Sequence, residues 1–204
     1  MKKWFRLLTA ASPRDACPEV SCFFYDLPVL ETKDLLLRPM RMKDAEDIYA
    51  YSSDEEVARY VLWDAHSSLR DTRAFIRYIR RLYREGLPSS WAIEHKASHK
   101  VIGSIGFMWV SRENRSAEAG YSLSRAYWNH GYATQALSAV LRAGFTDLKL
   151  NRIEAQHDVR NPASGRVMEK CGMRREGVLR SRIVNKGEYV DVALWAILRD
   201  EFHP

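Results

Sequence analysis

Apolar and polar positions show no sustained period over the first 27 residues, where Pro13, Pro18 and Pro28 break the chain. Residues 1–27 therefore read as a loosely packed N-terminal extension with one short element over residues 20–25, and residues 28–204 as one domain. Regular structure is predicted from residues 33–38 (KDLLLR), an apolar run stopped by Pro39. Helical spacing follows over 43–51, a second short helix over 54–60, and a long helix over 68–85 with Ser68 as N-cap and Gly86 as its stop. The period then becomes extended: residues 90–94 and 100–110 predict a hairpin, and 117–124 a third strand. Residues 131–148 carry a helical apolar stripe through Leu137, Val140, Leu141 and Gly144, and 152–157 read as a strand. Asn161 and Pro162 open a helix as N-cap and first residue, ending at Gly172. Two last strands, 173–184 and 188–198, flank the turn Asn185-Lys186-Gly187. The order β, α, α, β, β, β, α, β, α, β, β is that of an α+β domain.

Composition narrows the class. Hydrophobic residues make up 46% and charged residues 28% of 204, ordinary globular usage. Three cysteines, Cys17, Cys22 and Cys171, supply neither a disulfide framework nor a CxxC metal pair, so free thiols, a cytoplasmic setting and no metal are expected. Arg6 interrupts the apolar run of the first eleven residues, which argues against a signal peptide, and no apolar stretch is long enough to span a membrane.

The segment with chemistry is Tyr127-Trp128-Asn129-His130-Gly131-Tyr132-Ala133-Thr134, between a predicted strand and a long helix. Gly131 permits a tight turn and Ala133 a close approach, so successive N–H groups at the helix start can face an anion. Neither a Walker loop nor GxGxxG is present, which leaves nucleotide readings unsupported. A helix start of this kind also occurs without any ligand.

Four segments together decide what spacing alone leaves open: LETKDLLLRPMRMKDAEDIYAY, KVIGSIGF, AEAGYSLSRAYWNHGYATQAL and NPASGRVMEKCGMRREG. From residue 31 to 202 the chain resembles the GNAT superfamily of acetyl-CoA-dependent N-acetyltransferases. Within it the chain looks most like the RimJ/RimL branch, which acetylates N-terminal amines of ribosomal proteins. The resemblance implies a GNAT fold with a mixed, mostly antiparallel central sheet of about seven strands flanked by helices. It implies acetyl-CoA as co-substrate, with backbone groups around Leu123 and Ser124 for the pantetheine arm. The pyrophosphate falls to Asn129, His130, Gly131, Tyr132, Ala133 and Thr134. Trp128 stands where the family's loop begins with Gln or Arg, a departure common in this branch. Asn161 would contact the pantetheine or acetyl region, a role compatible with an N-cap. Arg166 and Lys170 are read either as contacts to the outer phosphates or as solvated charges.

The family's chemistry needs an acid and a base. Where many members place a tyrosine acid, this chain has Met168, and the branch's proposed serine donor falls on Ser164. Ser164 is alternatively only a small first-turn residue. Glu118 takes the position of the family's catalytic glutamate, acting directly or through water. A second carboxylate proposed in part of the branch would lie near Arg182 and Ile183, where no acid stands. An α-amine with pKa about 7.7–8.0 needs less help than lysine at about 10.4, so the missing carboxylate favours α-amines. Trp109 and Tyr121 are candidates for the substrate wall, with core packing as the alternative. Competing readings are acetylation of a small amine (polyamine, amino acid or antibiotic) and a non-catalytic acyl-CoA- or RNA-binding module. Relatives are frequently dimers, so a homodimer is among the expectations.

Charge sharpens one further point. The chain carries 32 Lys and Arg against 26 Asp and Glu, a net +6. The helix at 68–85 alone holds Arg70, Arg73, Arg77, Arg80, Arg81 and Arg84 against Asp71 and Glu85, leaving +4. Arg73, Arg77, Arg80 and Arg84 share a stripe opposite Phe75, Ile79 and Leu82. That face is either a solvated surface or a contact to the ribosome or an acidic peptide.

Overall fold

A computed structural model describes residues 18–203. Residues 1–17, including Cys17 and most of the expected extension, lie outside the described residues. Helices are α1 (Pro18–Tyr25), α2 (Ala45–Ser52), α3 (Glu55–Ala58), α4 (Leu69–Glu85), α5 (Tyr132–Thr146) and α6 (Pro162–Lys170). Strands are β1 (Leu30–Glu31), β2 (Leu35–Arg38), β3 (Ser90–His95), β4 (Lys100–Ser111), β5 (Ser116–Leu123), β6 (Arg152–Asp158), β7 (Arg174–Asn185) and β8 (Glu188–Leu198). They form one sheet in the order β1-β2-β3-β4-β5-β6-β8-β7, antiparallel except for the β5–β6 pair. The eighth strand, absent from the expectation of about seven, is the two-residue β1, too short to give a period of its own.

Helices cover both sheet faces. On one, Ala136, Leu137, Val140 and Leu141 of α5 and Met168 of α6 join Leu35, Leu37, Ile105, Phe107, Ala117 and Ala119 in one buried cluster. On the other, Ile48 and Tyr51 of α2 and Ile76, Ile79 and Leu82 of α4 pack with Ala92 and Val101. Helix α4 starts as its sequence directs: the Asp71 carboxylate accepts the Ser68 N–H at 3.1 Å, and Gly86 closes it at φ 62°. At the sheet edge, buried Arg38 is held bidentately by Asp44 at 2.8 and 2.9 Å and by Glu94 at 2.5 Å.

The expectation of a loose extension through residue 27 is corrected. Val20, Phe24 and Leu27 belong to the main core, and Phe24 has no exposed surface. Its ring meets Phe107 edge-on at 6.3 Å, while Phe23 meets Trp91 at 6.0 Å. The packed unit thus begins before residue 28. The short element expected over residues 20–25 is this helix; its burial gave no signal, since eight residues give too few turns for a stripe. Phe24→Ala is expected to cost about 3–5 kcal/mol by leaving a core cavity. Chemical denaturation measures this; a loss below about 1 kcal/mol would show that α1 is not part of the packed unit.

Candidate active site

The site grows from a parting of strands. β5 and β6 pair only through Ser116↔Arg152, Ala117↔Ile153 and Glu118↔Glu154. Beyond that point β5 continues beside β4 and β6 beside β8, opening a fork in the middle of the sheet. The Ser124 N–H donates to the Ile102 carbonyl at 2.7 Å, so ladder alternation turns the N–H groups of Tyr121 and Leu123 away from β4, into the fork. This corrects the expectation for Ser124. Its N–H is taken by Ile102 and its carbonyl accepts the Tyr127 N–H at 3.0 Å. The Leu123 carbonyl is occupied too, by the Trp128 indole N–H at 2.8 Å. The Leu123 amide therefore remains as the donor on this arm, and Trp128 anchors the loop that follows.

That loop offers unpaired backbone N–H groups to an anion. Asn129 (φ 62°) and Gly131 (φ 80°) both adopt left-handed conformations. A Cβ on Gly131 would meet nothing within 4 Å, so glycine serves the dihedral and not the space. The first α5 bond runs from the Gln135 N–H to the Gly131 carbonyl at 3.0 Å, leaving the N–H groups of Tyr132, Ala133 and Thr134 without helical acceptors. The His130 and Tyr132 rings stack at 5.6 Å, and the Tyr132 hydroxyl pairs with His95 Nε2 at 3.2 Å. Gln135, absent from the sequence-derived set, pins this helix end: its Oε1 accepts from Thr32 Oγ1 at 2.9 Å and its Nε2 donates to Asp34 at 2.7 Å.

Helix α6 brings Asn161 and Ser164 together. The Asn161 side chain makes no cap bond, contrary to expectation; its Nδ2 donates to Ser164 Oγ at 3.1 Å. An Oγ that accepts from an amide keeps its own proton to give. The Tyr121 hydroxyl donates to the Ser164 carbonyl at 3.0 Å, and burial pushes its phenol well above the ordinary range. Tyr121 thus secures α6 and is not free to meet a substrate through its hydroxyl. Arg166 and Lys170 are both exposed on α6.

The carboxylate at the fork is set from the opposite face. Glu118 alternates with Ala117 and Ala119, which point into the α5–α6 core. A bulge between Phe107 and Trp109 skips Met108 and sets Trp109 directly opposite Glu118. Trp109 Nε1 donates to Glu118 Oε2 at 2.8 Å, and Gln156 Nε2 to Oε1 at 3.0 Å. Trp109, a candidate for the substrate wall, is half-buried and holds the carboxylate through its indole N–H. Burial raises the Glu118 pKa, Glu154 adds to the rise, and the two donors and Arg182 oppose it. Gln156 was missed because one polar residue in a strand of mixed polarity gives no signal until the register is known. No group of three or more metal-ligating side chains occurs among the described residues.

A split parallel pair beside a helix start with free N–H groups offers an extended, anion-bearing ligand both a hydrogen-bonding edge and an anchor. A family profile for the acetyltransferase (GNAT) domain matches residues 34–174, and that decides the matter. The chain belongs to the GNAT family. This GNAT protein is an acetyl-CoA-dependent N-acetyltransferase. It is 36% identical over 172 residues to the uncharacterized N-acetyltransferase YoaA of Bacillus subtilis, covering 84% of this chain and 97% of that one. It is 29% identical over 133 residues to the ribosomal-protein-serine acetyltransferase of Escherichia coli, covering 65% of this chain and 73% of that one. A GNAT acetyltransferase from Bacillus anthracis superposes with a TM-score of 0.77 at 32% identity, covering 85% of this chain and all of that one.

Removing one donor from Glu118 should strengthen its hold on a proton. Gln156→Leu is expected to move the acidic limb of the pH–rate profile upward, because the carboxylate loses a hydrogen bond that favours its charged form. An unmoved limb would mean that Glu118 does not carry that ionisation.

Proposed function

We propose that this GNAT enzyme acetylates the N-terminal α-amine of a protein, with Glu118 as base and Ser164 as acid. The observation that carries this reading is a half-buried carboxylate, held at both oxygens, on the sheet face opposite the one that α5 and α6 cover. Acetyl-CoA supplies its acetyl group as a thioester, which an amine opens by forming a C–N bond as the C–S bond breaks. Glu118 accepts the amine's proton, directly or through water, and its raised pKa suits that task at neutral pH. Ser164 Oγ, its lone pair occupied by Asn161, gives its proton to the leaving sulfur. The N–H groups of Leu123 and of the first turn of α5 hold the pantetheine arm and the pyrophosphate, with Arg166 and Lys170 toward the outer phosphates.

An α-amine is the acceptor that a single carboxylate base serves best, since about a tenth of it is already neutral at pH 7. Similarity to the ribosomal-protein-serine acetyltransferase supports a ribosomal protein as that acceptor. On this reading the exposed Arg73, Arg77, Arg80 and Arg84 of α4 contact the ribosome, the enzyme works in the cytoplasm, and a homodimer is an expected assembly.

Peptide-library acetylation with mass-spectrometric localisation tests the acceptor: acetyl on α-amines is expected, and acetyl confined to lysine side chains would overturn the reading. Ser164→Ala is expected to lower kcat about 100-fold, the contribution of a positioned acid, with acetyl-CoA affinity unchanged. An unchanged kcat would remove Ser164 from the chemistry. Glu118→Gln should cost most at low pH, where the amine is protonated; an equal loss at every pH would make Glu118 a positional residue only.

A further inference from the structure

Helix α6 touches both arms of the fork at two consecutive residues. From the β5 arm, the Tyr121 hydroxyl donates to the Ser164 carbonyl at 3.0 Å. From the β6 arm, His157 shares a sheet face with Ala155, which lies in the core that α5 and α6 cover. A Cβ on Gly165 would stand 2.8 Å from His157 Nε2 and 3.3 Å from Trp195 Cζ2, so the helix backbone rests directly on these two rings. Trp195 lies on β8 opposite Ala155, and its ring is tilted against that of His157 at 6.3 Å. The first turn of α6 therefore joins two strands, β5 and β6, that are not paired with each other at this level.

The two rings make a fixed platform. His157 Nδ1 donates to the Asp158 carbonyl at 2.8 Å, since a carbonyl only accepts. Asp158 is in turn paired with Val192 of β8, and its carboxylate is held by Arg160 at 2.7 Å. The Trp195 indole N–H is buried without a hydrogen-bond partner among the described residues, so this ring serves α6 through its surface alone. Heavy atoms in ordinary contact lie about 3.5–4.0 Å apart, so a methyl group at residue 165 has to drive helix and ring apart by about 0.7 Å or more. Ser164 is the adjacent residue, with its Oγ 3.1 Å from Asn161 Nδ2, and it travels with the same turn.

We propose that Gly165 is a positioning residue. Having no side chain, it lets α6 settle on His157 and Trp195 at the height that brings the Ser164 hydroxyl to the reacting atoms. The inference rests on the reading of Ser164 as the acid and adds what sets its place.

The test is a set of double-variant cycles read as kcat and as KM for acetyl-CoA. Gly165→Ala is expected to lower kcat about 10- to 100-fold, as for a misplacement of about an ångström or less at a reacting group, with KM for acetyl-CoA unchanged. His157→Ala, which removes the obstructing ring, should cost little by itself and should restore most of kcat when added to Gly165→Ala. His157→Phe, whose ring reaches further toward Gly165, should lower kcat in the same way while the helix sequence stays intact. In a Ser164→Ala background, Gly165→Ala should have little further effect. An unchanged kcat in Gly165→Ala or in His157→Phe would overturn the proposal. So would a Gly165→Ala loss that is equal with and without His157, or equal with and without Ser164, or that appears only in KM. An unchanged kcat in Ser164→Ala would instead bring down the acid reading on which the inference rests.

Discussion

The constraint on which the rest depends is that β5 and β6 pair for three residues and then separate. A sheet interior otherwise leaves no backbone group unpaired, because a buried and unsatisfied N–H or C=O is costly. Here each strand retains one partner, β4 or β8, so the sheet survives while one edge of each is released into a fork. The released groups of Tyr121 and Leu123 form a ready hydrogen-bonding edge for an extended ligand, the same physics by which a strand adds to an open sheet. The open turn of α5 stands at the end of that edge, where an anion attached to such a ligand would fall.

Both faces of the fork are then furnished differently. On the α5–α6 face, Tyr121 ties down α6 and Asn161 orients the Ser164 hydroxyl. On the other, Trp109 and Gln156 each hold one oxygen of Glu118 in a setting where burial disfavours charge. Glu118 and Ser164 are thus on opposite faces of the sheet, with the fork between them. The bulge beside Trp109 is a local loss of ladder register that sets its side chain opposite Glu118.

How much of this was legible from sequence follows the range of each interaction. Gly131 lies directly before α5, so that turn and helix start show in the chain itself, whereas the Asn161 side chain turns to Ser164 instead of capping α6. The direction of the Ser124 amide depends on pairing with Ile102, and the pairing of Trp109 with Glu118 on a bulge; neither register is written in local pattern. Gln135 and Gln156 were invisible for the same reason, because their partners Asp34 and Glu118 lie on other strands or loops. The element at α1 shows in the chain, but its packing does not: eight residues are too few for a stripe to mark which side is buried.

Residue-resolved amide hydrogen exchange with and without acetyl-CoA tests the fork most directly. The account predicts that the amides of Tyr121 and Leu123, together with Tyr132, Ala133 and Thr134, slow markedly on binding. The Ser124 amide, already bonded to Ile102, should stay unchanged. Slowing confined to other elements, with Tyr121 and Leu123 unaffected at saturating acetyl-CoA, would contradict it.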